Sequence, residues 1–380
     1  MEAKSPEKVS PIDTLAVQLL REKRRGEASI WFRYVEELPR SYGCLHHWST
    51  EVAAELQCGD FIRQHNSVRS ELLKDFENIQ KTLKGNNDDD GSGVSLVGLT
   101  QEEYFWARST ILSRSVYLPQ LGNEAGGLCP IGDLFNYWPG PPPAPLLPEP
   151  FLDFLDDGGG SGSFHGISGD GAYEESTDSF VFKTGDRQYA PGEQIYLCYG
   201  QYSNRMLLEI YGFLLMNNPQ ESVSLRDVIS SPVLDMCVEL GSDISSSSFE
   251  VYQSGFPDWD LLWLVRWKEV AACSGQTAEM KRTLERKVKE GSLASLDLEH
   301  KAFGYLQELC VQKLGAFPTS AREDEVLLEA IERMEEKGER EEQVTLAIQW
   351  RLCQKRVLAK VVDVCKQYQN HLVRHPELYV

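Results

Sequence analysis

Two Tyr-Gly pairs, Tyr199-Gly200 and Tyr211-Gly212, flank Ser203-Asn204 in the stretch Pro191 to Pro219, and no simple periodicity accounts for them. Arg114 also has chemistry to offer, because a planar guanidinium grips a carboxylate in two places at once. A lone arginine near a helix end is more often a solvated charge that suits the dipole. Asn136-Tyr137, inside GLCPIGDLFNYWPG, is a third candidate; read locally, Asn136 merely caps a turn after a buried strand. The nine cysteines are odd in number, scattered and never spaced C-x-x-C, which argues against a disulfide framework and against a zinc site. They read as reduced thiols of an intracellular protein. His165 stands alone among glycines and is given neither a metal nor a catalytic role.

The elements that must position these residues belong to a 380-residue chain, long enough for two domains with sizeable cores. A hydrophobic fraction of 41% and a charged fraction of 25% are those of an ordinary globular protein. The formal net charge of -20 argues against nucleic acid as a direct partner, since phosphate contacts need clustered Lys and Arg. A local acidic patch can attract a basic peptide instead. No run of about twenty apolar residues is present, so no membrane span is expected. The opening MEAKSPEKVSPID excludes a secretory signal and fits a transit peptide poorly. Cytoplasm or nucleus is therefore the expected compartment, with a chloroplast still open, and the expected state is a monomer.

Pro191-Gly192 is turn chemistry, Gln194 to Tyr199 reads as a buried strand, and Gly200 breaks it. Ser203-Asn204 can then cap a short helix with Met206, Leu207, Ile210 and Tyr211 at helical spacing, stopped at Gly212. Upstream, Ile12, Leu15, Ala16, Leu19 and Leu20 mark an amphipathic helix closed by Gly26, with Asp13 near its start. Trp31, Tyr34 and Leu38 are read as packing residues. Trp48 to Phe76 reads as continuing helix capped by Ser49 or Thr50, and residues 85 to 93 as a polar, mobile loop. Thr100 with Glu103 forms a capping box for the helix that leads to Arg114. Residues 138 to 172 read as low-complexity insertion, and Phe180 to Phe182 is expected to pair antiparallel with Glu193 to Tyr199. Beyond a strand-like Ser222 to Leu225 the pattern is helical, interrupted at Gly241 to Ser248 and at Ser254 to Pro257. It includes Ala278 to Lys289, Leu298 to Gly315, Ala321 to Lys337 and Glu341 to His371, the last with a stripe from Val344 to Leu372.

The stretch from Pro191 resembles the end of the SET domain of protein methyltransferases, in the class of the plant Rubisco large-subunit lysine methyltransferase and the actin-histidine methyltransferase. There it reads approximately G-E-x-[IV]-x-x-x-Y-G-x-x-S-N-x-x-L-L-x-x-Y-G-F, which Gly192, Glu193, Tyr199, Gly200, Ser203, Asn204, Leu207, Leu208, Tyr211, Gly212 and Phe213 fill, with Asn218-Pro219 beyond. A second signature of the family, P-[LV]-x-D-x-x-N-H, is matched by Pro130, Asp133 and Asn136, while Tyr137 stands where histidine is usual. Glu22, Lys23, Ser29, Trp31, Tyr34, Leu38 and Pro39 resemble a string inside the family's helical insertion. Trp350-Arg351 with Lys355 loosely resembles a motif of its C-terminal domain.

The resemblance implies an α+β fold: a SET β-core over 12–218 with a helical insertion over 12–115, then an all-helical substrate-binding domain over 221–380. It implies S-adenosylmethionine as cofactor, a protein substrate, and lysine ahead of histidine as acceptor. Tyr199 is then the catalytic residue, Tyr211 walls the substrate channel, and Arg114, Asn136 and Tyr137 bind the cofactor. No metal is required. The family's opening G-x-G strand pair finds no counterpart in this sequence, which leaves one wall of the cofactor site unaccounted for. The rival expectation is accordingly a non-catalytic SET-derived protein that binds a partner peptide.

Overall fold

The computed structural model describes residues 9–85, 94–116, 126–155, 171–184, 188–239, 247–273, 277–334 and 338–379. Helix α1 (Pro11–Arg25) starts at Ser10, whose hydroxyl accepts from the Asp13 amide, and ends at Gly26 with φ of 55°. Asp13 does more than suit the helix dipole. It is buried, and accepts from the Tyr104 hydroxyl at 2.7 Å and the Arg108 guanidinium at 2.9 Å, which fixes α1 against the helix that begins after Thr100. After α2 (Phe32–Glu37), the expected single helix from Trp48 is two, α3 (Thr50–Ala54) and α4 (Gly59–Gly85). Between them Gln57 takes φ of 54°, a left-handed conformation that ends one helix and re-aims the chain into the next. The loop expected over 85–93 lies, beyond Gly85, outside the described residues. Helix α5 (Gln101–Arg114) carries the expected Thr100–Glu103 capping box. Ala16, Leu19 and Leu20 of α1 pack with Leu72 and Ile79 of α4 and Tyr104, Phe105 and Ile111 of α5.

The β-structure around the site consists of short pairs. β1 (Ser115–Val116) pairs antiparallel with β2 (Gly127–Leu128). β3 (Asn136–Tyr137) is followed by α6 (Glu149–Leu155), β4 (Ala172–Glu174), β5 (Ser179–Val181) and β6 (Tyr196–Leu197). The expected antiparallel pairing of Phe180 to Phe182 with Glu193 to Tyr199 does not form. β5 turns back on β4 through Asp178, at φ of 49°, and β6 instead lies parallel to β3, with Asn136 opposite Tyr196 and Tyr137 opposite Leu197. Nor is 138–172 uniformly unpacked insertion. α6 buries Phe151 completely against Tyr368 and His371 near the C-terminus, because Leu147, Phe151 and Leu152 supply a small apolar face of their own. His165 lies outside the described residues.

Past α7 (Asn204–Met206) and β7 (Ser222–Ser224) comes α8 (Ser231–Glu239). β8 (Glu250–Tyr252) then pairs antiparallel with β7, where the sequence suggested only interrupted helix. Most of the break expected at Gly241 to Ser248 is outside the described residues, while that at Ser254 to Pro257 is the turn from β8 into α9 (Trp259–Ala272). α10 (Ala278–Lys289), α11 (Leu296–Gly315), α12 (Ala321–Glu332) and α13 (Glu339–Arg374) complete the chain's main elements. The stripe predicted on α13 is its core face: Ile348, Leu352, Leu358, Val361, Cys365, Tyr368 and Leu372 are buried, with Val344 half-buried. The Trp350 ring lies tilted 5.1 Å from that of Phe61 of α4, in a cluster with Leu45, Trp48 and Leu208 that joins α13 to the site-bearing half. Arg351 and Lys355 grip Asp324 of α12 at 2.9 and 2.5 Å, and Arg351 also reaches Glu55 at 3.0 Å. Their role is therefore to tie elements together. Among the described residues no helix is long and apolar enough to cross a membrane.

Candidate active site

Tyr211 is positioned by an irregular helix. α7 continues from Leu207 to Tyr211 as a π-turn, a geometry that recurs at functional sites because it turns side chains off the regular helical face. Ser203 occupies the cap position, but its hydroxyl makes no capping hydrogen bond; the work expected of the Ser-Asn pair falls to Asn204. Completely buried, Asn204 donates to the Leu215 carbonyl at 2.8 Å and accepts from the Leu215 amide at 2.9 Å, so the chain after Tyr211 is clamped back onto the start of the helix. Gly212 stops the helix at φ of 76°, and a Cβ on it would lie 2.5 Å from the Cys44 amide nitrogen. Only glycine allows the 43–44 backbone to approach there.

Tyr199 follows β6 and lies with its ring 5.4 Å from Tyr137 and 5.5 Å from Tyr211, while Tyr202 stands 5.9 Å from Tyr211. Its hydroxyl donates to the Phe135 carbonyl. Burial pushes the Tyr199 phenol up to about 12, partly countered by Arg114, so it is neutral at physiological pH. Tyr211 is likewise raised, first by burial and then by Tyr202. Tyr137, where the family signature has histidine, is buried, and donates its hydroxyl to the Gly200 carbonyl at 2.9 Å. Its phenol therefore braces the Tyr199-Gly200 turn directly.

Arg114, the last residue of α5, donates to the Asp133 main-chain carbonyl at 2.9 Å and stands 3.7 Å from the Asp133 carboxylate. The other carboxylate contact of Asp133 is the Tyr34 hydroxyl at 2.6 Å, so a tyrosine expected only to pack holds the site's acid. Trp31 beside it is largely exposed, whereas Leu38 is buried. Arg114 Nε and Asp133 Oδ1 are both buried without a hydrogen-bond partner. The loop bearing Asp133 passes through Ile131 at φ of 75°, a strained conformation for a β-branched residue. Tyr42, missed in the sequence for lack of any spacing signal, also presents a buried hydroxyl that makes no well-formed hydrogen bond, although Thr110 and Arg114 stand beside it.

These residues are the wall between two cavities. One, of about 440 Å³, is lined by Tyr42, Gly43, Phe135, Asn136, Tyr137 and Phe213. The other, of about 490 Å³, is lined by Tyr173, Phe180, Phe182, Leu197 and Tyr202. Ser113, Arg114, Asp133, Tyr199 and Tyr211 face both. All five residues singled out in the sequence are thus brought together: Asn136 and Tyr137 on one side, Arg114, Tyr199 and Tyr211 in the shared wall. Asn136 is exposed on β3 and is no simple turn cap.

Residues 235–358 match the family model described as Rubisco LSMT substrate-binding. The chain is 26% identical over 414 aligned positions to Protein SET DOMAIN GROUP 40 of Arabidopsis thaliana, covering 96% of this chain and 79% of that one. It is 25% identical to the chloroplastic [fructose-bisphosphate aldolase]-lysine N-methyltransferase of the same plant, covering 96% and 70%. A solved structure of Rubisco LSMT bound to sinefungin and monomethyllysine superposes with a TM-score of 0.57 at 22% identity, over 97% of this chain and 77% of that one. A second, bound to AdoMet, gives 0.56 at 21% identity over the same shares, and the fold is shared. The chain is therefore similar along nearly its whole length to the SET-domain proteins of the Rubisco large-subunit methyltransferase class, and the class's substrate-binding domain matches it over 235–358.

Proposed function

We propose that this chain transfers a methyl group from S-adenosylmethionine to a side-chain nitrogen of a protein, with lysine as the acceptor. The observation that carries this reading is the shared wall: two cavities whose described linings have Tyr199, Tyr211, Arg114, Asp133 and Ser113 in common suit a donor on one side and an acceptor on the other. S-adenosylmethionine supplies the electrophilic methyl group when bound. The residues fit it, since the unpartnered Arg114 Nε and Asp133 Oδ1 offer a guanidinium donor to an amino-acid carboxylate and a carboxylate oxygen to its ammonium. Asn136 and Tyr137 line the cavity on that side.

The acceptor nitrogen enters from the aromatic side. Walls of Phe180, Phe182, Tyr199, Tyr202 and Tyr211 desolvate it and so favour its neutral, nucleophilic form. The Tyr199 hydroxyl spends its proton on the Phe135 carbonyl, which leaves its oxygen lone pairs to accept an N–H from the acceptor and aim the nitrogen's own lone pair. Because the phenol is held neutral, its part is orientation and not proton abstraction. Displacement of this kind needs alignment and a dry channel, and the tyrosine cluster supplies both.

The domain reading is a SET unit over 12–218 and a helical substrate-binding unit over 221–380, acting as a monomer on a protein substrate. The compartment reading is cytoplasm or nucleus ahead of chloroplast, although two similar methyltransferases are named chloroplastic. Calorimetric titration with sinefungin tests the central reading. Binding that is weakened on Arg114→Ala and kept on Tyr199→Phe is expected; no binding to the wild-type chain overturns it.

A further inference from the structure

Glu221 is a carboxyl that the reaction above does not use, although it is 1% exposed and closely surrounded. Its oxygens accept from the backbone amide of Asn204 at 3.3 Å, from that of Ser222 at 3.3 Å and from the Gln354 side-chain amide at 2.9 Å. Among the described residues no lysine or arginine forms an ion pair with it. A buried carboxyl held only by neutral donors costs stability.

The three donors come from different places, and one of them, Asn204, belongs to the segment that carries the site. Asn204 opens the helix that ends at Tyr211, and its side chain clamps Leu215. Asn218, beside Glu221, donates to the Tyr202 carbonyl at 2.8 Å and to Asn204 Oδ1 at 3.3 Å, so both ends of the segment from Tyr202 to Leu215 hang on this network. Gln354 belongs to α13, and it also donates to the Ser222 carbonyl at 3.0 Å. One turn away on α13, Trp350 packs on Phe61, while Cys353 Sγ lies 3.7 Å from the Met216 carbonyl. Glu221 is therefore one of the points, and the buried polar one, at which the C-terminal helix meets the backbone that carries two channel tyrosines.

We propose that Glu221 is a positioning residue for the transfer, a buried latch through which the seat of α13 sets the placement of Tyr202 and Tyr211. The proposal rests on the methyl-transfer reading for its catalytic consequence, but not for the coupling itself. Facing groups are Asn204 and Ser222 from the site side, Glu250 from β8, and Cys353 and Gln354 from α13. The carboxyl is pushed up to about 8, chiefly by burial and further by Glu250, against the pull of the Asn204 and Ser222 amides. It consequently changes protonation near neutral pH, and a charge-free amide of the same shape does not.

Two measurements test this on the full chain, with Glu221→Gln, Glu221→Ala and Gln354→Leu. The first is hydrogen exchange, which needs no substrate. Amides from 204 to 215 are expected to exchange at least tenfold faster in Glu221→Ala and in Gln354→Leu, although Gln354 touches neither cavity, and to change less in Glu221→Gln, whose amide oxygen can keep the Ser222 and Gln354 donors while its NH2 cannot accept from the Asn204 amide. The second is tritiated methyl transfer from S-adenosylmethionine to fructose-bisphosphate aldolase, Rubisco large subunit and actin across pH 6.5 to 9.5. Here kcat is expected to drop about tenfold in Glu221→Ala, with KM for the donor within twofold, and the Glu221→Gln profile is expected to lose an inflection near pH 8. Unchanged exchange in both Glu221→Ala and Gln354→Leu overturns the latch. Faster exchange with wild-type kcat, or activity that merely follows the melting temperature, overturns its positioning role. If the wild-type chain transfers nothing while exchange responds as expected, the methyl-transfer reading fails and the coupling stands.

Discussion

Tyr34 donates its hydroxyl to Asp133 at 2.6 Å, and Asp133 in turn sits 3.7 Å from Arg114, so a residue of the N-terminal helical segment orders the charged wall between the two cavities. Tyr34→Phe removes that hydrogen bond without opening a void. It is expected to weaken sinefungin binding by about 1 kcal/mol, the net worth of one such bond, with the melting temperature shifted only slightly. Calorimetry distinguishes this from a purely packing role, which would leave the dissociation constant unchanged.

Arg114→Ala is expected to cost more, about 1.5 to 3 kcal/mol of donor affinity, because the lost hydrogen bonds involve charged partners. A dissociation constant equal to that of wild type would return Arg114 to a structural partnership with the Asp133 carbonyl.

Tyr199→Phe keeps the ring that packs between Tyr137 and Tyr211 and removes only the hydroxyl on the Phe135 carbonyl. Methyl transfer should vanish while sinefungin affinity stays nearly intact. Parallel loss of both would place the hydroxyl on the donor side instead.

Stability should fall with pH on account of Glu221. Its folded pKa, about 8, lies above the ordinary carboxylate value of 4.5, so the folded state holds a proton that the unfolded chain has released. Its contribution is complete below the ordinary range and is lost as pH rises toward 8, at up to about 1.4 kcal/mol for each pH unit. Urea denaturation at pH 6 and pH 8.5 is expected to show a smaller decline for Glu221→Gln than for wild type. An identical decline would mean that the carboxyl is already ionised at pH 6.

Asp324 is completely buried between Arg351 and Lys355. Asp324→Ala leaves two buried cations short of an anion, with Glu55 still near Arg351. A loss of about 3 to 5 kcal/mol in unfolding free energy is expected. A change below 1 kcal/mol in chemical denaturation would show that water replaces the carboxylate.

Several elements were legible from local sequence because local physics fixes them. The Thr100–Glu103 capping box, the bounds of α10 and the core stripe of α13 each depend on residues within a few turns of one another. The string from Gly192 to Phe213 likewise singles out Tyr199 and Tyr211, whose rings the fold places 5.5 Å apart. What the tertiary structure decided is partnership. Strands as short as Tyr196–Leu197 carry too little pattern to choose a neighbour, and β6 pairs with Asn136–Tyr137 because the chain returns there. Phe151 lies in a stretch that reads as low-complexity insertion, and only the C-terminal helix supplies the Tyr368 and His371 on which it packs. Asp133 with Tyr34, and Glu221 with Gln354, are separated by 99 and 133 positions, and nothing in either local stretch specifies the other. A buried polar group must be paired, but which distant residue pairs with it is settled only when the helices pack.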